Sequence, residues 1–348
     1  MESLLEKRLL HRLLSLERNE LPTFHIVMLP DFFVDHFLYF DSLEKTCQDL
    51  QRIAAQCGGN KPGITQRIQQ GGNAANTALG LARLGMSAHL ICQTSPFGLH
   101  LLQYLLGKNG VDLSGVHTDG ILAMTTALEF QKPRANIMIG DPGSVATFTY
   151  DQLNNHDHEL IESANLVGVT NWNLNRFGTD LVCKVFERAK KQNVRTFFDS
   201  GDPSPRVSDI TQLMEKVLMN PLLDRFGLNE NELRYYSNSP CKTQTEMVSA
   251  LESLKKKIPA RIDFHTSQFS GSVQGTVTVV PTIHLSTVYR STGAGDVWNA
   301  ANIFADFVGF ADDERLLFAN IVAGQYISSP DILPPSLDMV INFIKNNI

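Results

Sequence analysis

The sequence predicts an α/β fold, a mainly parallel sheet with helices on both faces. Three observations carry that expectation. Short apolar runs alternate along the chain with longer stretches of helical spacing. The runs are apolar at consecutive positions, as strands covered on both sides should be. A chain of 348 residues, 43% apolar and 19% charged, can bury one large core.

The elements follow in order. Met1 to Asn19 reads as a helix with a stripe of Leu4, Leu5, Leu9, Leu10, Leu13, Leu14 and Leu16. Glu2, Glu6 and Glu17 interrupt it, unlike a signal peptide core or an acid-poor mitochondrial presequence. Residues 1–23 are therefore expected to be a helical extension that docks on the body or on a second subunit of a homodimer. Residues 24–348 are expected to form the main domain. His25–Leu29, Ala88–Cys92, Leu166–Thr170, Val194–Asp199, Leu222–Leu228 and Ile262–Thr266 read as buried strands. Ala74–Leu84, Leu99–Lys108, Thr179–Gln192, Gln212–Leu218 and Glu246–Lys257 read as helices between them. Phe32–Tyr39 and a hairpin of Thr125–Phe130 with Asn136–Ile139 depart from this rhythm. Segments near 31–40 and 121–148 are thus expected to form a small β lid, the alternative being an edge hairpin of the main sheet.

Composition excludes several classes. Thirty basic against 36 acidic residues, a net charge of −6, speak against a general nucleic-acid partner. No apolar run reaches about 18 residues, so a membrane span is not expected. Five cysteines without a CxxC read as free thiols in a reducing compartment, with the cytoplasm as the default. His156-Asp157-His158-Glu159, in a polar stretch, reads as a solvated turn and not a metal site. GxxxxGK[ST], HExxH and GxSxG are absent, as is the GxGxxG of a dinucleotide-binding redox enzyme.

Two glycine motifs remain. Ser291-Thr292-Gly293-Ala294-Gly295-Asp296 precedes helical spacing at Val297, Trp298, Ala301 and Phe304. Free amides and the positive dipole end at a helix start attract an anion, and glycines let a phosphoryl group come close. A carboxylate there repels such a ligand unless it takes a proton from an attacking hydroxyl. Asp296 as a base and Asp296 as a simple helix cap fit these six residues equally. Gly71-Gly72-Asn73-Ala74-Ala75-Asn76 likewise opens an Ala-rich helix that Gly85 stops, and Asn73 and Asn76 lie three apart.

Taken together, Gly71-Gly72 with Asn76 and Leu84-Gly85, then Gly293-Ala294-Gly295-Asp296, resemble the two signatures of the ribokinase (PfkB) family of carbohydrate and nucleoside kinases. The resemblance covers about residues 24 to 345. It implies a three-layer α/β/α sandwich with a β lid, and a base role for Asp296 beside an anion hole at Gly293, Ala294 and Gly295. It implies that Asp35 holds substrate hydroxyls, with Gly71, Gly72 and Asn76 on the substrate side. Asn171-Trp172-Asn173-Leu174-Asn175, after a strand, is unusual for the family and offers amides to the sugar, while Trp172 fits core packing equally. Asn229-Glu230-Asn231-Glu232 is similar to the family's NxxE element, in which Asn229 and Glu232 organise phosphate, water and Mg²⁺. Thr266 and Asn320 would line the nucleotide. Two further places depart from the family. Arg290 stands where cation-binding relatives commonly carry Asp, which argues against potassium activation. Phe264-His265-Thr266-Ser267-Gln268-Phe269 replaces a glycine-rich loop and is more similar to certain archaeal sugar kinases, some of which use ADP. The implied reaction passes a phosphoryl group from ATP or ADP to a sugar or sugar phosphate, ribose-1-phosphate being one candidate. A nucleoside (adenosine-type) kinase is the alternative, kept open by Phe32, Phe33, Phe37, Tyr39 and Phe40. A non-catalytic relative that binds nucleotide or sugar is the alternative of another class.

Overall fold

A computed structural model describes residues 4–18 and 23–347. The chain opens with α1 (Leu4–Arg18), β1 (His25–Leu29), β2 (Phe33–Ser42), α2 (Leu43–Ala55), β3 (Thr65–Gly71), α3 (Asn73–Arg83), β4 (Ser87–Gln93) and α4 (Pro96–Leu105). It continues through β5 (Asp112–His117), β6 (Ala123–Lys132), β7 (Ala135–Asp141), α5 (Asn155–Ser163), β8 (Leu166–Val169), α6 (Gly178–Lys191) and β9 (Arg195–Asp199). The last part holds α7 (Ile210–Leu213), β10 (Arg225–Asn229), α8 (Glu230–Ser237), α9 (Gln244–Lys255) and β11 (Arg261–His265). It closes with β12 (Phe269–Val273), β13 (Val277–Pro281), α10 (Ala294–Phe307), α11 (Asp312–Ser328) and α12 (Leu337–Asn347).

Nine strands form the central sheet in the order β13-β12-β11-β10-β9-β8-β1-β4-β5. Its pairings are parallel except for β12 against β11 and β13 against β12. Alternate side chains enter opposite layers. Ile26 and Met28 join the core under α1, α3, α4, α10, α11 and α12. Val27 and Leu29 join the core under α5, α6, α8 and α9. Burial on both faces is why each strand reads as an uninterrupted apolar run, and each such side chain contributes roughly 1.5–3 kcal/mol.

The lid is a separate four-stranded sheet in the order β3-β2-β6-β7, so the edge-hairpin alternative is excluded. Its strands are longer than the sequence pattern indicated, and β3 was not legible at all. Thr65–Gly71 is mostly polar and exposed except at its end, so it carries little strand signal. Helix α4 begins at Pro96 and not Leu99, because Ser95 accepts the amide of Gly98 and proline suits the first turn. The 212–218 segment is a short α-helix followed by a π turn, Met214–Leu218.

One expectation is corrected and another is met. His156-Asp157-His158-Glu159 lies within α5 and not in a solvated turn. Asp157 is fully buried there, exchanges capping hydrogen bonds with Asn154 and accepts one from His117 Nε2 at 2.7 Å. The leucine stripe of α1 docks on the same chain, with Leu9 and Leu13 fully buried beside α11 and α12. Met1, Glu2 and Asn19, at the ends of the expected helix, lie outside the described residues. All five cysteines are free. Among the described residues no helix is long and apolar enough to cross a membrane.

Candidate active site

The chain order reverses about β1: β4 and β5 add on one side, β8 to β11 on the other. Ligands of open α/β sheets bind at the carboxyl ends of the strands beside such a reversal. Asp31 stands there, just after β1, with no exposed surface. Its carboxylate accepts the amides of Asn73 (2.7 Å) and Ala74 (3.1 Å), Thr170 Oγ1 (3.0 Å) and Asn171 Nδ2 (2.8 Å). One side chain thus caps α3 and joins the ends of β1 and β8. Gly72 precedes α3 at φ 93°, and a Cβ there would lie 2.9 Å from Asp31 Oδ2. Position 72 therefore tolerates only glycine.

Asp35 is one turn of chain further on, in β2, opposite Gln69 and Thr125. A side chain at Gly71 would collide with its carboxyl group. Burial and the neighbouring charge of Asp31 push Asp35 up to about 6, against a hydrogen bond with Thr125.

Asp296 faces Asp31 and Asp35 from α10. Asn76 Nδ2 donates to Asp296 Oδ2 at 2.9 Å, joining residues 220 positions apart. The N-cap of α10 is Gly293 at φ 78°, so Asp296 sits in the first turn and does not cap the helix. That turn leaves the amides of Gly295 and Asp296 without intrahelical acceptors. The rotation of α10 is locked by one stripe of polar residues. Asn299 Nδ2 donates to Asp199 at 2.7 Å, Asn302 Nδ2 to Asp263 at 3.0 Å, and Asp306 pairs with Arg225 and Arg261. Against α3 the helix packs so closely that a Cβ at Gly80 would lie 2.6 Å from that of Ala300.

Burial pushes Asp296 well above the ordinary carboxylate range, and the charges of Asp199, Asp31 and Asp35 add to this while Asn76 opposes it. Glu232 is raised for the same first reason, with Asp199, Asp202 and Asp296 as further negative neighbours. Its two oxygens accept from the backbone and side-chain nitrogens of Asn229, each at 2.8 Å.

Beyond the anion loop lies a cavity of about 800 Å³. Asn229, Thr266, Asn320, Ala294 and Gly295 line it, together with His265, Trp298 and Arg290. Apolar walls come from Ile283, Leu285, Val288 and Ile327. Most of the polar groups at its edge are engaged in the fold. Asn229 caps α8, Thr266 Oγ1 closes the β11–β12 turn, and Asn320 accepts from Trp298 Nε1 (2.9 Å) and donates to the carbonyl of Pro281 (3.1 Å). Arg290 donates to the carbonyls of Tyr326 (2.9 Å), Asp331 (2.6 Å) and Pro330 (3.0 Å). A guanidinium therefore fills a ring of carbonyls beside the anion loop.

The residues expected at the site thus lie around one cleft, with one change of role. The side-chain amide of Asn171 is committed to Asp31, so it braces that carboxylate and is not free for a ligand. Trp172 is core: it is 1% exposed, and its Nε1 donates to Thr179 Oγ1 at 2.9 Å. Asp31, Asp199 and His265 were not singled out from the sequence. Each is a polar residue at or just past the carboxyl end of an apolar strand, which is the signal that marks them.

An α/β sandwich with a β lid and an anion loop facing buried carboxylates defines a ribokinase-type fold. The pfkB family carbohydrate kinase model matches residues 40–335, and the chain belongs to that family. The chain is similar to the ribokinase of Arabidopsis thaliana solved with ribose and ATP, with a TM-score of 0.75 at 20% identity over 93% of this chain and 99% of that one. It is similar to the adenosine kinase of Sinorhizobium meliloti, with a TM-score of 0.75 at 17% identity over 94% of this chain and all of the other. It is 22% identical over 330 residues to the bifunctional protein HldE of Aliarcobacter butzleri (strain RM4018). That match covers 92% of this chain and 64% of HldE.

Proposed function

We propose that the protein transfers the terminal phosphoryl group of ATP or ADP to a hydroxyl of a sugar or sugar phosphate. The observation that carries this reading is the Asn76–Asp296 hydrogen bond, which sets a buried carboxylate between the Asp35 side and the anion loop. In the proposed step the acceptor oxygen attacks the terminal phosphorus. Its proton passes to Asp296, and the bond from phosphorus to the leaving phosphate oxygen breaks. The amides at Gly293–Gly295 stabilise charge on the transferring group. Asn76 orients the base, and the raised proton affinity of Asp296 suits it to take a proton from an alcohol. Asp35 holds acceptor hydroxyls.

Magnesium fits the far side of the cleft. The charges of Asp199, Asp202 and Asp296 raise the proton affinity of Glu232, and that of Asp199 raises Asp296, a repulsion that a divalent cation relieves. Among the described residues no three such side chains converge closely enough to hold a metal alone. Glu232 would act through water, with the nucleotide phosphates as further ligands. The ion would supply neutralisation of the phosphate charge.

A nucleoside acceptor has one observation in its favour. Phe37 and Tyr39 stack at 6.3 Å, and they alternate along β2 on the same face as Asp35. The solved adenosine kinase of similar fold is a second support. Phe32 is spent in the core instead. The deciding experiment is a turnover panel of pentoses, hexoses, ribose-1-phosphate, other sugar phosphates and nucleosides, each with ATP and with ADP. Turnover of a sugar or sugar phosphate supports the proposal, turnover of nucleosides alone replaces it with the second reading, and binding without turnover points to a non-catalytic relative.

A further inference from the structure

Around the nucleotide-side cavity, Asn229, Thr266, Asn320 and Arg290 all spend their side chains on the fold. His265 does not. It ends β11 and lines the cavity, and its ring makes no hydrogen bond with another described residue. Its position is nevertheless fixed on two sides. Its ring lies 5.0 Å from that of Trp298, which Asn320 holds through the indole nitrogen. On the other side it meets the anion loop: a Cβ at Gly295 would lie 3.0 Å from His265 Cε1 and 3.2 Å from Nε2. An immobilised polar ring with unused nitrogens thus stands against the residue whose amide opens α10.

Burial holds His265 down to about 4, so the imidazole is neutral near pH 7 and offers one N–H donor. A neutral donor suits this location. A fixed cation next to Asp296 would stabilise its carboxylate and weaken it as a base. An imidazole N–H can bind a phosphate oxygen without that effect.

We propose that His265 donates a hydrogen bond to a phosphate oxygen of the bound nucleotide, completing the cradle formed by the amides at Gly293–Gly295. This inference rests on the kinase reading, and it adds a side-chain donor to a cradle otherwise made of backbone.

The test is calorimetric titration of the full chain with ATP, ADP and adenosine, using the wild type, His265→Phe and His265→Gln. Phenylalanine keeps the ring against Trp298 and loses the donor; glutamine keeps an N–H at similar reach. His265→Phe is expected to weaken ATP and ADP about 10- to 100-fold, the range for a hydrogen bond to a charged group. Adenosine, which has no phosphate, should change less than about twofold by the same argument, and His265→Gln should recover most of the loss. Unchanged nucleotide affinity in His265→Phe overturns the inference alone. So does an equal loss for adenosine and ADP, which would mark a packing role. A wild type that binds none of the three overturns the kinase reading as well. If His265→Phe does not fold, His265→Gln decides: near-wild-type ADP affinity supports the inference, and a loss shared by ADP and adenosine overturns it.

Discussion

The two halves of the cleft are built from opposite materials. The half proposed to hold the acceptor is made of charged side chains, each held by hydrogen bonds: Asp31 by four donors, Asp35 by Thr125, Asp296 by Asn76. The half proposed to hold the donor is mostly backbone amides and neutral or fold-engaged side chains, with the carboxyl group of Glu230 in its wall, Glu232 held by Asn229, and Arg290 spent on carbonyls. The difference follows from what each half would hold. A neutral polyol needs strong, oriented acceptors, and carboxylates supply them. A polyphosphate needs donors, and amides at a helix start supply them without pairing with the nearby base.

Four predictions would break or sharpen this contrast. The largest effect belongs to the residue on the boundary. Asp296→Asn keeps the shape, so the variant should fold and bind nucleotide as well as the wild type or better, because a charge near phosphates is removed. Its turnover should fall on the order of a hundredfold or more, as expected for a lost general base. Retention of more than about a tenth of wild-type turnover with the true acceptor would remove Asp296 from the chemistry.

Next comes Asp35→Asn. Replacing an ionised acceptor by a neutral one should raise the acceptor KM by roughly 10- to 100-fold while leaving the nucleotide KM nearly unchanged. The wild type provides a matching pH signature. Only the ionised carboxylate accepts from two hydroxyls, so kcat/KM for the acceptor should fall as pH drops through about 6. A profile flat down to pH 5 would show that Asp35 does not hold the acceptor in ionised form. The sign for stability is opposite. A carboxyl group raised by burial favours the folded state at low pH, and that contribution is lost as pH rises from about 4 to about 6.

Arg290→Ala probes the donor half. It removes three hydrogen bonds that tie the chain before the glycine turn to the last turn of α11 and the segment after it, and should cost about 1–3 kcal/mol in chemical denaturation. Nucleotide KM should rise more than acceptor KM. Equal rises would mean that the loop serves both halves alike.

The smallest effect is expected at Glu232→Gln. Its carboxylate only accepts from Asn229, and a glutamine can keep one of those two bonds. Half-saturating Mg²⁺ should rise and turnover fall by a few-fold, roughly the loss of one modest interaction, with acceptor affinity intact. A collapse of acceptor affinity with normal Mg²⁺ response would assign Glu232 to the other half.

How much of this was legible depends on the range of the signal. The alternation of strands and helices and the small-residue turn that opens α10 follow from local spacing and local turns, and the structure bears them out. The lid hairpin was visible because its strands break the rhythm. The polar strand β3 was not, since pairing with β2 and not its own composition makes it a strand. In α5, Asn154 and Asp157 spell a capping box, yet the surrounding polar residues concealed it.

By itself, then, the sequence determined the α/β class, the glycine turn that opens α10 and the carboxylate beside it, because glycine conformations and helix starts are properties of neighbouring residues. The tertiary structure alone decided the rest. It turned Asp31 from a residue after a strand into the cap of α3 and the tie between β1 and β8. It paired Asn76 with Asp296 across 220 positions, gave Arg290 its three carbonyls and laid α1 on its own chain. Desolvation and the approach of like charges raise Asp35 and Asp296, and both depend on which distant segments the fold brings together.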